Sequence, residues 1–287
     1  MVPQRNLPSE ENEPRFAFGE NWRGFLASLD EARIDEAVTS LKNNLQCESL
    51  RGKRFLDIGS GSGLFSLAAH RLGAEVTSID YDADSVWCTG ELKRRFGKDG
   101  LDWKIHHGSV LDRAWITALG QFEVVYSWGV LHHTGNMTEA IEIAADRTIS
   151  GGQLFIAIYN DQGSASRRWL KIKQIYNRLP RGLRGGWVTV VAAAYELKFA
   201  LARLLRGKNP LPFADWKAKR RDRGMSAWHD WVDWVGGLPF EVATAEQIIV
   251  PLRKRGFVLD SLKTVGNGWG CNEYVFCRQS IDLGDSS

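Results

Sequence analysis

The chain has 287 residues, 44% hydrophobic and 25% charged, which is the composition of a folded globular protein long enough for a core domain plus a sizeable insertion. Its four cysteines, at 47, 88, 271 and 277, show neither C-x-x-C spacing nor histidines at zinc-finger distance. This argues against a disulfide framework or a metal site and for free, buried thiols.

The first 29 residues carry Pro3, Pro8 and Pro14 and no apolar run able to act as a signal peptide, so a flexible tail on a cytoplasmic protein is expected. From Asp30 to Leu45, apolar Ile34, Val38, Leu41 and Leu45 recur at three- and four-residue steps, which predicts a helix. Strands and helices then alternate: strand 54–58, helix 64–72, strand 75–79, helix 83–96, strand 102–107, a short helix near Ala114, strand 122–127, helix 137–148 and strand 153–159. Such a βαβ series makes a parallel sheet with helices on both faces. At the far end, helix 244–255, strand 257–264, a glycine-rich turn and strand 272–277 read as a helix followed by an antiparallel hairpin edge.

The strongest motif is Phe55-Leu56-Asp57-Ile58-Gly59-Ser60-Gly61-Ser62-Gly63, followed by Ile79-Asp80-Tyr81-Asp82. An apolar strand ends in a carboxylate, glycines allow a tight turn into a helix, and the second strand delivers Asp80 where the ribose hydroxyls of an adenosine lie in this kind of sheet. A dinucleotide loop, G-x-G-x-x-G, needs glycine at position 64, which is leucine here. The D-x-G-x-G-x-G form resembles motif I of the class I S-adenosylmethionine (SAM) methyltransferases. The run Phe122 to Gly135, with Ser127-Trp128-Gly129-Val130-Leu131-His132-His133, similarly resembles motif IV of the ubiquinone- and menaquinone-biosynthesis-type methyltransferases.

That resemblance implies an α/β fold, a doubly wound, mostly parallel seven-stranded sheet of order 3-2-1-4-5-7-6, with SAM as the cofactor. It implies a cofactor site made of Asp57, Gly59, Ser60, Gly61 and Gly63, with Asp80 and Tyr81 on the ribose side and Ser127 and Trp128 at the fourth strand. The adenine segment is His106 to Asp112, where Ser109 replaces the acidic residue usual in the family, so recognition falls to the Ser109 hydroxyl and the Val110 backbone. Phe16 to Trp22 is a candidate lid, with Trp22 and Trp128 offering aromatic faces to the sulfonium.

Domain organisation follows: a tail and lid over 1–29, a SAM-binding core over 30–160, a helical cap over 161–240 and a C-terminal helix and hairpin over 241–287 that complete the sheet. The cap holds 16 Lys and Arg against 6 Asp and Glu although the whole chain is only +3. Its first helix is expected to bury Trp169, Ile172, Ile175 and Tyr176. Its last helix, with Ser226 as N-cap, groups Trp231, Trp234 and Val235 on one face. Methyl transfer to a hydroxyl requires an aligned acceptor and a base, and the histidines that can serve are His133, His132 and His229, in that order. Tyr159, Asn160, Trp228 and Trp231 are candidates for holding the acceptor. Three functions stay open: O-methylation of a small or lipid-linked metabolite such as a phenol, sugar or polyketide; nucleic-acid methylation, disfavoured because no N-P-P-Y-type motif follows the fourth strand; and SAM binding without catalysis. The basic cap also raises peripheral contact with an anionic membrane.

Overall fold

The computed structural model describes residues 26, 29–98, 100–211, 227–266 and 268–279. Helix α1 (Glu31–Leu45) leads into β1 (Arg54–Ile58), α2 (Leu64–Arg71), β2 (Glu75–Asp80), α3 (Ala83–Phe96), β3 (Trp103–His107), α4 (Arg113–Ala118), β4 (Phe122–Trp128), α5 (Met137–Arg147) and β5 (Thr148–Tyr159). Side chains start most of these helices: Asp30, Asp82, Asp112 and Asn136 each accept a hydrogen bond from a first-turn N–H of α1, α3, α4 and α5. Each such cap is worth about 1 kcal/mol.

The five strands are parallel, and β6 (Phe257–Lys263) and β7 (Cys271–Arg278) join antiparallel, giving the order β3-β2-β1-β4-β5-β7-β6. This is the order that the sequence motifs imply. Strand β5 begins five residues earlier than expected. Thr148 already pairs with Phe122, and its carbonyl accepts from Arg278 Nη1 at 2.6 Å. A register shift between Phe122 and Val124 accommodates the irregular glycine stretch.

Alternate residues of each strand feed two cores. Phe55, Val124, Phe155 and Val275 pack under α1, α2 and α3, whereas Leu56, Val125, Ile156 and Phe276 pack against α4, α5 and α9 (Ala245–Lys254). Helix α9 opens on a capping box between Thr244 and Gln247. None of the four cysteines is in a disulfide, but only Cys88 is buried; the other three are half-buried, because they sit at strand or helix ends rather than under a helix.

The insertion contains α6 (Ser164–Arg178), α7 (Arg181–Leu205) and α8 (Ala227–Gly236). Its two ends are zipped together at the end of β5: Ala243 N–H donates to the Tyr159 carbonyl at 3.0 Å, and Asp161 N–H to the Ala243 carbonyl at 3.0 Å. Trp169, Tyr176, Val188, Val191, Trp231 and Val235 form a separate small core. Ile175, expected inside it, is exposed, and Lys173 is buried in its place. The helical period explains the exchange: position 173 falls between 169 and 176 on the inner face, and position 175 does not. Among the described residues no helix is long and apolar enough to cross a membrane, and no cluster of three or more His, Cys, Asp or Glu is arranged to hold a metal.

Candidate active site

Strands β1 and β4 are neighbours, and the chain direction of the sheet order reverses between them; ligands of such sheets bind beyond the carboxyl ends at that point. The loop after β1 fills this position. Gly59, Gly61 and Gly63 have φ of 78°, 55° and 83°, a region that L side chains rarely adopt. A Cβ at Gly59 would lie 2.4 Å from both Val130 methyls, and one at Gly63 would lie 2.9 Å from the Thr89 Cα. The loop is therefore a backbone cradle that only glycine permits. Gly59 and Ser60 N–H both donate to the Ile79 carbonyl, at 2.8 and 3.1 Å, which ties β1 to β2. The Ser60 hydroxyl lies 2.9 Å from that of Thr89.

Asp80 secures the same loop from the side. Its carboxylate accepts from Gly61 N–H and from Asp82 N–H, each at 2.9 Å. Burial raises its pKa to about 6 against the lowering effect of those N–H groups. Asp57 lies deeper. Its carboxylate accepts from the Ser66 hydroxyl at 2.5 Å; Ser66 lies 2.6 Å from Ser78, which accepts from Trp103 Nε1 at 2.8 Å. Burial raises Asp57 to about 7, with the Ser66 bond opposing and nearby Asp80 adding. Two buried carboxyls with raised pKa values beneath a glycine cradle favour a ligand that brings positive charge.

The other expected cofactor residues divide. Val110 is buried, and the Ser109 hydroxyl accepts from Leu111 N–H at 3.2 Å, leaving its proton to donate. Tyr81 is exposed beside Asp80, and its carbonyl bonds the His107 ring at 2.8 Å. Ser127 is wholly buried and donates to the Ile58 carbonyl at 2.9 Å, so its hydroxyl clamps β1 to β4. Trp128 is exposed and donates to Glu273 at 3.3 Å. Trp22 and the His229 side chain lie outside the described residues.

Beyond β4, a turn of 3-10 helix carries Leu131, His132 and His133 to the end of β5. His133 Nδ1 lies 2.6 Å from the Pro239 carbonyl, which must be an N–H donation, so the ring's second nitrogen, Nε2, is the acceptor in the neutral form. Burial lowers its pKa to about 4, helped by Lys173 and opposed by the Pro239 bond. His132 is completely buried, its ring tilted against those of Tyr159 and His133 at centroid distances of 4.0 and 4.4 Å, and neither of its ring nitrogens has a partner among the described residues. Tyr159 in turn stacks on Trp234 at 5.7 Å and meets Phe240 at 5.6 Å.

Sequence reasoning missed Lys173, Trp234 and Phe240 as neighbours of this cluster. Lys173 is 1% exposed, donates to the Trp234 carbonyl at 2.6 Å and lies 4.9 Å from the Phe240 ring centroid. The available signal was a lysine on an otherwise apolar helix face. Of the acceptor candidates, Tyr159 joins the histidines and Trp231 packs in the cap core, whereas Trp228 stands exposed. Asn160 clamps the β6–β7 turn, donating to Gly266 O at 3.0 Å and accepting from Asn272 at 3.1 Å. It also lines a cleft of about 650 Å³, with Gln162, Arg168, Trp169, Tyr195 and Trp269 on the other walls.

A family model described as a methyltransferase domain matches residues 30–261, from α1 into β6. The chain belongs to that family. It is a class I SAM-dependent methyltransferase, and SAM is its cofactor. The glycine cradle and the carboxyls of Asp57 and Asp80 fit this cationic ligand. The methyltransferase is 31% identical over 161 residues to the ubiquinone biosynthesis O-methyltransferase of Xanthomonas oryzae pv. oryzae, covering 55% of this chain and 62% of that protein. The protein of the same name from Aromatoleum aromaticum is 31% identical over 134 residues, 46% of this chain and 56% of its own. The chain thus spans less than two thirds of the length of these curated relatives. An O-methyltransferase family protein from Burkholderia thailandensis shares the fold, with a TM-score of 0.51 and 15% identity over 95% of this chain and 66% of that one.

Proposed function

We propose that this methyltransferase O-methylates a hydroxyl group of a small or lipid-linked metabolite, with His133 as general base. The observation that carries the reading is the His133 hydrogen bond to the Pro239 carbonyl, which fixes the ring with Nδ1 as the donor and makes Nε2 the basic nitrogen of the neutral ring. When bound, SAM supplies an electrophilic methyl group. Gly59, Gly61 and Gly63 would hold its amino-acid end, and Asp80 its ribose.

The chain's own groups do the rest. His133 is neutral at pH 7, takes the hydroxyl proton on Nε2 as the oxygen gains its methyl group, and is stabilised as imidazolium by the Pro239 carbonyl. A base with a pKa near 4 is weak, and burial, the largest cause of that lowering, disfavours a charged acceptor as well; only the smaller Lys173 contribution acts in the acceptor's favour. Lys173, buried in the same aromatic shell, lowers His133 and would equally favour the anionic form of a hydroxyl placed there. Tyr159, Trp234 and Phe240 supply apolar walls that exclude water. The curated relatives' name, an O-methyltransferase of ubiquinone biosynthesis, supports oxygen as the accepting atom.

The test is S-adenosylhomocysteine release by the purified protein with SAM and a panel of phenols, sugars and polyprenyl-linked hydroxyl compounds. Turnover with a hydroxyl acceptor that His133→Ala reduces by about 10² or more, at unchanged SAM affinity, supports the reading. Transfer only to nitrogen or carbon acceptors overturns it.

A further inference from the structure

Helix α7 leaves a row of large apolar side chains in solvent. Leu183, Val190, Leu197 and Leu204 recur every seven residues, Leu201 and Leu205 fall beside them, and all six are between 53 and 88% exposed. With 3.6 residues per turn they share about 100° of arc and run for about 33 Å. The row is not the face by which the helix packs. Val188 and Val191 do that, with Trp187 and Tyr195 against the cap core. Monomeric soluble proteins rarely leave so continuous an apolar strip uncovered.

The charge around the row is one-sided. Lys198, Arg206 and Lys208 are exposed on or just past α7, as are Arg168 and Lys171 on the neighbouring α6. Glu196, the single acid in the α7 sequence, lies 3.9 Å from Arg203. We propose that α7 docks the enzyme on an anionic bilayer, lying in the interface with its Leu and Val row at the acyl boundary and its cations among the phosphates. The helix does not meet the length and apolarity needed to cross the membrane. Charge complementarity selects lipid over a second copy of this chain, because two such basic faces repel each other. One helix face about 33 by 10 Å also falls well below the roughly 800 Å² per partner of a standard interface.

Docking would also place the active-site side of the cap. Tyr195 and Lys198 line the 650 Å³ cleft, so a docked α7 holds that cleft within about one helix diameter, 10 Å, of the headgroups. An acceptor with an apolar body and an anionic head is the substrate class this arrangement serves. That last step rests on the proposed methyl transfer; the docking does not.

Sedimentation of the full chain with vesicles of phosphatidylglycerol and phosphatidylcholine, or of phosphatidylcholine alone, tests the proposal, with SAM titration on the same samples. Wild type should pellet with the anionic vesicles and at least tenfold less with the neutral ones. Val190→Ser, Leu197→Ser, Leu201→Ser and Leu204→Ser combined should lose at least tenfold in anionic-vesicle binding while keeping the wild-type melting temperature and SAM affinity. Should that variant fail to fold, Arg206→Glu with Lys208→Glu should still weaken pelleting at low salt. Wild type remaining in the supernatant, or folded variants pelleting like wild type, overturns the docking. A wild-type dimer in light scattering that the serine variant converts to monomer overturns it too, assigning the row to self-association. Failure of SAM titration with intact pelleting would count against the enzymatic reading and leave the docking standing.

Discussion

SAM affinity should depend on pH through Asp80, and the structure gives the sign and the size. The Asp80 carboxyl has a pKa near 6, raised by burial and by Asp82, and lowered by the N–H groups of Asp82, Gly61 and Tyr81. If Asp80 holds the ribose as proposed, only its ionised form would accept from two hydroxyls, and the sulfonium and ammonium of SAM would favour that form further. Binding therefore expels a proton, and the apparent affinity follows the ionised fraction, about 1 at pH 8 and about 0.1 at pH 5. Calorimetric titration should find SAM bound roughly tenfold more weakly at pH 5 than at pH 8. Asp57, near pKa 7 and coupled to Asp80, would steepen the slope towards two protons if its charge also senses the ligand. Asp80→Asn keeps the shape but cannot accept from both Gly61 and Asp82 N–H. It should weaken binding by about 1.5 to 3 kcal/mol per lost charged hydrogen bond, and flatten the pH profile. A wild-type affinity constant from pH 5 to 8, or an Asp80→Asn variant that keeps the wild-type slope, would refute the reasoning.

Four further outcomes are expected. His133→Ala should bind SAM like wild type in calorimetry and lose about 10² or more in turnover, whereas a lost SAM affinity would return the ring to a packing role. His132→Phe replaces a buried ring whose two nitrogens lack partners; it should raise the melting temperature by a few degrees, about 1 kcal/mol, and a lower melting temperature would reveal a partner for the imidazole. Gly59→Ala forces a Cβ to within 2.4 Å of Val130 at a φ of 78°, so it should abolish measurable SAM binding and destabilise by about 1 to 3 kcal/mol in chemical denaturation. Lys173→Met removes the buried ammonium while keeping the stem; the acid limb of the rate profile should move to higher pH as His133 regains basicity, and an unmoved limb would show that the lysine acts on packing alone.

The cofactor half of the molecule was legible because its signals are local. A glycine spacing of 59, 61 and 63 demands a positive-φ loop wherever it stands, and Asp80 follows one βαβ unit later, so loop and carboxylate meet through the most regular connection in the fold. Asp57 shows the limit of that reading. Its type and position are plain in the sequence, but the chain Trp103 to Ser78 to Ser66 that accounts for its immediate surroundings draws on two other strands and a helix. Ser127 likewise looks like a polar group at a strand end, and only the register of β1 against β4 puts its hydroxyl on the Ile58 carbonyl.

The proposed acceptor half was less legible because it is assembled from segments about 25 to 105 residues apart. His133 is oriented by Pro239, on the far side of the insertion, and Tyr159 is walled by Trp234 and Phe240. Those contacts exist because residues 159–161 pair with Ala243, which folds the insertion back over the end of the sheet. Once that closure is known, the aromatic residues near 231–240 stop being a generic apolar stripe and become the lid of the histidine pair. It also settles why a lysine is tolerated at position 173. Within a helix it interrupts an apolar face, but folded against α8 it finds the Trp234 carbonyl and the Phe240 ring, which offset part of the cost of burying its charge. Burial is the main reason that the two neighbouring histidines are held neutral, and the Lys173 charge adds to it, so the Lys173→Met rate profile separates a role in the proposed reaction from one in the stability of the cap.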